Sequence, residues 1–347
     1  MWGSDYAIDK ENRSMRFVVC PSYVRSVDWK EGTFRQSNDK RCTFLNENNL
    51  CDLYTNLGEK NLCKTCKLYP RHIEEFEGLR EVTLSISCPE VARILMERKT
   101  PVTFLNYEKE GEEEFEDFDP FLFSILEDAR SAMIEILQNR ELSIRERCLF
   151  VLGITHDMQV RINHQEMFEC SAVIEKATGE KAKKSVRDYL SKKENKTKKA
   201  EMILELFWKL YELEVLRDEW EVLLQETESL LYHADMAQYE KDDKAFGEWK
   251  KANPDMDIHL EQLLVYFLFT YFLGAVYDGE VYAKTQMAVY CVWMIEEIWK
   301  ARWILNEESL SLEEMTEIVY RFSREVEHSD VNLKQVEAWM EKKYFLK

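Results

Sequence analysis

Apolar positions follow a helical spacing through most of the chain after residue 120. Phe121 to Arg140 carries its apolar side chains on one helix face. Ser143 and Ser311 each precede a glutamate by three residues, which is the capping-box signature of a helix start. Ile258 to Tyr277 is apolar nearly all round, as is typical of a helix at the centre of an all-α domain. Further helices are predicted over 200–233, 281–305 and 335–347.

The first hundred residues show a different pattern, which predicts loops, short helices and one strand pair. Apolar residues flanking Glu77 and Gly78 predict a β-hairpin over about 73–84. The polar run 46–49 predicts a turn that brings the cysteines on either side of it together. Pro89 fits the first position of a helix that runs to Met96.

A strongly acidic segment separates these two regions. Glu108 to Asp119 holds eight acidic residues among twelve, and such a run is typical of a solvated linker. We therefore predict a mostly α protein in three parts. These are an irregular cysteine-rich domain over 1–107, the linker over 108–119 and a multi-helix domain over 120–347.

Composition supports the helical class and restricts the partners. The chain has 45% hydrophobic residues but only 10 Gly and 6 Pro, so it is neither disordered nor rich in turns. Its formal net charge of -19 argues against binding to nucleic-acid backbone and favours basic targets, such as lysine side chains. A generic acidic surface would explain the same charge without any partner.

The sequence predicts a cytoplasmic protein with no membrane partner. The segment after Met1 has neither a basic nor an apolar region of the kind found in secretory signals. The longest apolar run, Leu263 to Tyr277, is short for a bilayer span and is followed by Asp278 and Gly279. It is better interpreted as a buried core helix.

Cysteines supply the main candidate chemistry. Five of the nine lie within 47 residues, and thiolates are the ligands that zinc and iron–sulfur clusters require. Ordinary buried cysteines are an alternative, and disulfides are not expected in a chain without an export signal. The uneven spacing favours a [4Fe-4S] cluster, with zinc as the other option. The predicted ligands are Cys42, Cys51, Cys63, Cys66 and Cys88, and Cys20 is a further candidate.

These stretches resemble a known protein family. The cysteine run from Cys42 to Arg71, followed by Ser87-Cys88-Pro89-Glu90, is similar to that of the flagellin lysine-N-methylases. The aromatic segment Leu263 to Phe272 and the segment Arg321 to His328 resemble two later stretches of the same family. An earlier cysteine cluster of the family has no counterpart here, which suggests either that the chain as given starts late or that some ligands are lost.

The resemblance implies methyl transfer from S-adenosylmethionine to surface lysines of flagellin. Most enzymes that use this donor have a glycine-rich turn after a first strand, but this chain has no G-x-G motif. A methyltransferase with this sequence would therefore have an unusual architecture. The rival hypothesis is a non-catalytic metal-binding or interaction protein, or an inactive remnant.

Several polar residues in these motifs are candidates for the active site. Arg324 and His328 share a helix face and could orient a substrate lysine or take up its proton, or they could belong to a buried ion-pair network. Arg71 could bind a carboxylate of the substrate or the cofactor, or could stabilise the sulfur-rich region. Glu90 could contact the cofactor or simply be an acidic residue at a helix start. The predicted catalytic residues are Arg324, His328 and Tyr69, and the predicted cofactor-binding residues are Arg71 and Glu90.

Overall fold

The computed structural model describes residues 25–30, 32–37, 41–108, 118–177, 179–232 and 236–341, with the backbone alone for 193–199. The chain divides into two compact units. The smaller unit contains Met1–Ile73 and Val82–Ser85, and the larger unit contains Glu74–Glu81 and Ile86–Lys347. Cys20 and most of the predicted linker lie outside the described residues, so the linker boundary stays a prediction.

The smaller unit is built from short elements around a small core. Asn46 Oδ1 accepts hydrogen bonds from the backbone N–H groups of Asn48 and Leu50, both at 3.0 Å, which closes the turn between Cys42 and Cys51. The buried apolar side chains described here are Val27, Phe44 and Leu53. Its elements are β1 (Val27–Asp28), β2 (Thr33–Phe34), α1 (Asp52–Leu57) and α2 (Lys64–Leu68), with β1 antiparallel to β2.

The predicted hairpin forms between β3 (Arg71–Phe76) and β4 (Leu79–Leu84). Gly78 adopts a φ of 74° at its turn, a left-handed conformation that glycine tolerates best. The outer ends of the two strands belong to the smaller unit and the turn end belongs to the larger one. In the larger unit, the buried Arg130 guanidinium donates to Glu81 Oε1 and Oε2 at 2.5 and 2.7 Å.

From Pro89 onward, the regular elements that the structure describes are helices, and the protein is mostly α, as predicted. Its first helix begins with Pro89 at N1, and the capping boxes at Ser143 and Ser311 both form. The helices are α3 (Pro89–Glu97), α4 (Pro120–Leu137), α5 (Ile144–Asn163), α6 (Cys170–Lys176), α7 (Glu180–Ser191), α8 (Lys193–Trp208), α9 (Asp218–Leu231), α10 (Met236–Ala252), α11 (Asp255–Tyr271), α12 (Ala275–Asp278), α13 (Val281–Leu305), α14 (Leu312–Val326) and α15 (Asp330–Met340).

Helix α13 lies at the centre of the larger unit, with 20 of its 25 residues buried. It packs against α5, α9, α11, α14 and α15. Helix α11 runs beside it and is also buried nearly all round, as its sequence predicts. Asp255–Asp278 is the one described segment apolar enough to span a membrane, and 72% of its most apolar window is buried inside the fold. This burial supports the interpretation of the segment as a core helix.

Three predicted helices differ from the structure. The helix predicted over 335–347 begins earlier, as α15 at Asp330, and residues 342–347 lie outside the described part of the chain. The helix predicted over 258–277 is interrupted by a 3-10 turn at Phe272–Gly274, which apolar periodicity alone cannot distinguish from an α-helical turn. The helix predicted over 200–233 is broken between α8 and α9. Asn332 Oδ1 accepts from Glu214 N–H at 2.8 Å, and Glu325 Oε2 accepts from Leu216 N–H at 2.8 Å. These long-range bonds hold the intervening segment out of helical geometry.

Glu325 has an unusual titration because it is buried at this break. Its side chain lies at the end of α14 and only 2% of the residue is exposed. Burial raises its pKa to about 7, although hydrogen bonds from the backbone of Leu216 and Arg217 act in the opposite direction. The folded protein therefore binds the Glu325 proton more tightly than the unfolded chain does.

We expect Glu325→Gln to weaken the pH dependence of stability. Because the pKa of Glu325 is about 7 in the folded protein and about 4.5 in the unfolded chain, its contribution to stability is complete below about pH 4.5 and is lost as the pH rises through about 7. The free energy of unfolding of the wild type should therefore fall by about 2–3 kcal/mol over that range. Glutamine keeps an oxygen acceptor for Leu216 N–H and has no proton to lose. Urea unfolding at pH 5 and pH 8 measures the difference, with exposed Glu313→Gln as the control. If Glu325→Gln loses as much unfolding free energy between pH 5 and pH 8 as the wild type does, the expectation is contradicted.

Candidate functional site

Two stretches singled out in the sequence meet in the larger unit. Tyr266 and Tyr271 on α11 both donate their hydroxyl protons to Glu327 Oε2, at 2.9 and 2.6 Å. Glu327 is the C-cap of α14, so the carboxylate lies where that helix ends. We call these three residues the Glu327 cluster. Each of the three residues is half-buried as a whole, but the other carboxylate oxygen, Glu327 Oε1, is itself buried.

Burial and negative charge keep Tyr271 and the nearby Cys291 protonated. Burial and the Glu327 carboxylate raise the pKa of Tyr271 well above its usual value. The same two causes raise the pKa of the fully buried Cys291 thiol. Tyr266 also accepts a hydrogen bond from Ile86 N–H at 3.4 Å. The phenols thus act as fixed donors to Glu327 at neutral pH.

Arg324 and His328, predicted as catalytic residues, are half-buried. Arg324 lies in the last turn of α14, but that helix ends at Val326, so the prediction that His328 shares a helix face with Arg324 is wrong. Burial and the nearby Arg324 charge lower the pKa of His328, while Asp330 opposes that shift. The imidazole is therefore neutral at neutral pH, and the same burial and positive charge oppose its uptake of a proton. Their catalytic role stays a prediction.

A carboxylate held in this way can bind a cation. Two phenol donors to one oxygen fix the orientation of the Glu327 side chain without neutralising its charge. An ammonium group that approached the carboxylate would gain a charge-assisted hydrogen bond and a route for its proton. The arrangement suits recognition and deprotonation of an amine.

Four of the predicted metal ligands share the smaller unit: Cys42, Cys51, Cys63 and Cys66. Burial raises the pKa of the Cys42 thiol, and neighbouring Cys51 and Cys63 add to that rise. Cys66 N–H donates to Cys63 Sγ at 3.4 Å. A hydrogen bond from the Cys66 side chain is the main cause that lowers the pKa of Cys63 to about 6. The same bond raises the pKa of Cys66.

The chemistry of these four thiols fits a thiophilic metal, but their arrangement is not that of a formed site. Among the residues that the structure describes, no three or more His, Cys, Asp and Glu side chains are placed to hold a metal ion. The fifth predicted ligand, Cys88, belongs to the larger unit as the N-cap of α3. Metal ligation therefore stays a prediction.

The other predicted site residues have local contacts. Tyr69 is 38% exposed and precedes Pro70 through a cis peptide bond. Arg71 donates to the Lys67 carbonyl at 3.1 Å. Glu90 pairs with exposed Arg93 at 2.6 Å, and hydrogen bonds from Arg93 lower the pKa of Glu90. The Glu90 contacts match its interpretation as an acidic residue at a helix start, and the cofactor-binding roles stay predictions.

The sequence analysis did not identify a groove in the larger unit. It encloses about 1130 Å³ between α5, the 3-10 turn Met167–Glu169, α6 and α7. Its floor is apolar and includes Phe150, Gly153 and Ile154. A methyl group added at Gly153 would meet no atom within 4 Å, so the floor opens into free space there. The sequence signal that could have indicated the groove was Gly153, a glycine inside a predicted amphipathic helix.

Comparison with known families supports the resemblance found in the sequence. Residues 130–346 match the family model of the FliB lysine N-methylase C-terminal domain, which is more than half of the chain. The matched range includes the Glu327 cluster and the groove. No curated protein and no solved structure matches the chain.

Proposed function

Because the chain belongs to the FliB lysine N-methylase family, we propose that it transfers methyl groups to the ε-amines of flagellin lysines. The family match over residues 130–346 is the observation that carries this proposal. We propose S-adenosylmethionine as the donor and the cytoplasm, before flagellin is exported, as the location.

Glu327 is the residue that we assign to the substrate amine. A lysine is protonated at neutral pH and must lose its proton before the nitrogen can attack a methyl group. The Glu327 carboxylate would attract the ammonium and accept that proton. Tyr266 and Tyr271 hold the carboxylate in place through their bonds to Oε2.

S-adenosylmethionine, when bound, supplies an electrophilic methyl group on its sulfonium. No glycine-rich nucleotide turn is present in the sequence to hold it. The protein's own contribution, in this proposal, is to place the amine, remove its proton and fix the carboxylate that receives it.

We further propose that Cys42, Cys51, Cys63 and Cys66 hold a zinc ion or an iron–sulfur cluster. The described core of the smaller unit consists of three buried apolar side chains. Cores of this size rarely stabilise a unit alone, and a thiolate-bound metal is a common staple in such cases. The four thiols supply the donor set that such a metal requires.

Incubation of the intact protein with flagellin tests the function. The protein is purified without oxygen, analysed for iron, zinc and sulfide, and mixed with purified flagellin and S-adenosylmethionine. We expect mass spectrometry of flagellin peptides to show methylated lysines that are absent when either component is omitted. Unmodified flagellin after incubation with metal-loaded protein would refute the proposal and favour a non-catalytic interaction protein.

A further inference from the structure

Two exposed aromatic side chains lie where α8 ends. Trp208 is 43% exposed, and Tyr211, in the 3-10 turn that follows the helix, is 37% exposed, although large aromatic side chains are usually buried. Their rings stack with centroids 5.6 Å apart. Buried Phe207 meets both rings edge-on, at centroid distances of 6.4 and 6.2 Å, so the core fixes their orientation. We call Trp208 and Tyr211 the aromatic pair.

Carboxylates lie on both sides of the aromatic pair. Exposed Glu205 lies three positions before Trp208 on α8, so the two side chains are neighbours on one helix face. On the other side, Tyr211 donates its hydroxyl proton to Glu228 Oε2 on α9 at 2.7 Å. Exposed Glu221 lies seven positions before Glu228, about two turns along the same face of α9. Burial raises the pKa of Tyr211, and the carboxylates of Glu228 and Glu221 raise it further.

The charges around the aromatic pair leave a negative surplus. Residues 201–232 include nine acidic side chains and two basic ones, Lys209 and Arg217. Lys209 already pairs with a glutamate in its own turn, at 3.7 Å. Glu205 and Glu221 have no ion pair with any residue that the structure describes. The surface therefore favours a cation from outside the chain.

The larger unit itself shows what rings and carboxylates bind when they occur together. Arg130 Cζ lies 4.3 Å from the centroid of the Phe269 ring, and its guanidinium pairs with Glu81 at 2.5 Å. Lys209 and Lys250 combine a ring contact with a carboxylate in the same way. At the aromatic pair both the rings and the carboxylates are present, but no Lys or Arg side chain that the structure describes lies over either ring.

We propose that the aromatic pair and its flanking carboxylates bind a lysine or arginine side chain of the protein substrate. A cation over the ring face gains a cation–π interaction, and the carboxylates add charge attraction and hydrogen-bond acceptors. The inference rests on the proposed function, since it takes flagellin as the protein that carries the cation. Binding here raises the local concentration of the substrate without taking part in the chemistry.

The aromatic pair lies in a part of the fold that neighbours the Glu327 cluster. Tyr211 comes five residues before Leu216, and five residues span at most about 18 Å. Leu216 N–H is bound by Glu325, two positions before Glu327. One extended segment of the substrate can therefore place one cation on the aromatic pair and present another lysine to Glu327.

Replacing the indole tests the contact with the ring. Trp208→Leu keeps an apolar side chain but removes the ring face, whereas Trp208→Phe keeps a ring. We expect Trp208→Leu to raise the KM for flagellin about 5-fold with kcat unchanged, and Trp208→Phe to stay within about twofold of the wild type. Binding of a fluorescent penta-lysine peptide, followed by anisotropy, should weaken by the same factors. The midpoint of urea unfolding checks that both variants fold.

Removing the unpaired carboxylates tests the charge. The double variant Glu205→Gln/Glu221→Gln should raise the KM for flagellin about 3-fold and make binding of the penta-lysine peptide less sensitive to salt. Glu135→Gln/Glu313→Gln is the matched control, because it removes two negative charges at exposed positions on α4 and α14. We expect this control to bind the peptide as the wild type does.

The other outcomes separate this inference from the proposed function. Methylation of flagellin with an unchanged KM in Trp208→Leu would overturn the cation site and leave the methylase assignment in place. Equal weakening of peptide binding in the two double variants would show attraction by net charge alone and would also overturn the site. Peptide binding that depends on Trp208, without methylation of flagellin by the wild type, would support the site and refute the enzyme.

Discussion

Glu327→Gln should lower the rate of flagellin methylation at neutral pH at least about 100-fold, the lower end of the usual contribution of a general base. Glutamine keeps the size of the side chain and an oxygen that accepts from Tyr266 and Tyr271. It has no negative charge to attract the lysine ammonium and cannot take its proton. The loss should therefore appear in kcat/KM for both flagellin and a short lysine peptide.

The pH profile distinguishes a base from a structural role. A lysine side chain in water loses its proton near pH 10.4. The difference in methylation rate between the wild type and Glu327→Gln should therefore shrink as the pH approaches that value. Glu325→Gln is the matched control, since it makes the same change two residues away at a buried carboxylate outside the Glu327 cluster. Activity of Glu327→Gln within threefold of the wild type at pH 7.5, with unchanged unfolding, would exclude Glu327 as the base.

A second large effect is expected at Lys300, which is 1% exposed and lies near the C-terminal end of α13. Its ammonium donates to Glu297 Oε1 at 2.7 Å, Asp243 Oδ1 at 2.9 Å and Tyr239 OH at 3.3 Å. Burial alone would lower the pKa of Lys300, but these acidic and phenolic neighbours raise it well above its usual value. The ammonium is thus the positive charge that balances the buried Glu297.

We expect Lys300→Met to destabilise the larger unit by about 3–5 kcal/mol, because it leaves the Glu297 carboxylate buried without its counter-charge. Adding Glu297→Gln to this variant should restore part of the loss, since an amide is less costly to bury than an unpaired charge. The midpoint of urea unfolding, followed by circular dichroism, measures both changes.

Lys251→Met provides the comparison for this prediction. Lys251 also pairs with a glutamate three residues away, at 2.8 Å, but its side chain is 74% exposed. Solvent screens such a pair, so its loss should lower the midpoint of urea unfolding far less than the loss of Lys300 does. If Lys300→Met and Lys251→Met unfold at the same urea concentration, the buried network contributes no more than a surface ion pair.

Local sequence signals were sufficient for the helical class and for several element ends. The capping boxes at Ser143 and Ser311, the proline at the start of α3 and the limits of α13 all agree with the structure. These features depend on residues within one or two turns of each other, so the chain encodes them without reference to its fold. The family resemblance was also readable from short motifs.

Tertiary structure alone decided which of these elements meet. Tyr266 and Glu327 are 61 positions apart, and nothing local indicates that the phenol would donate to that carboxylate. The break in the helix predicted over 200–233 has the same cause, because Glu325 and Asn332 bind the backbone of the connecting segment from more than 100 residues away. The groove on α5 likewise follows from packing. Periodicity specifies which face of a helix is apolar, whereas the fit of side chains between distant helices selects the partner of that face.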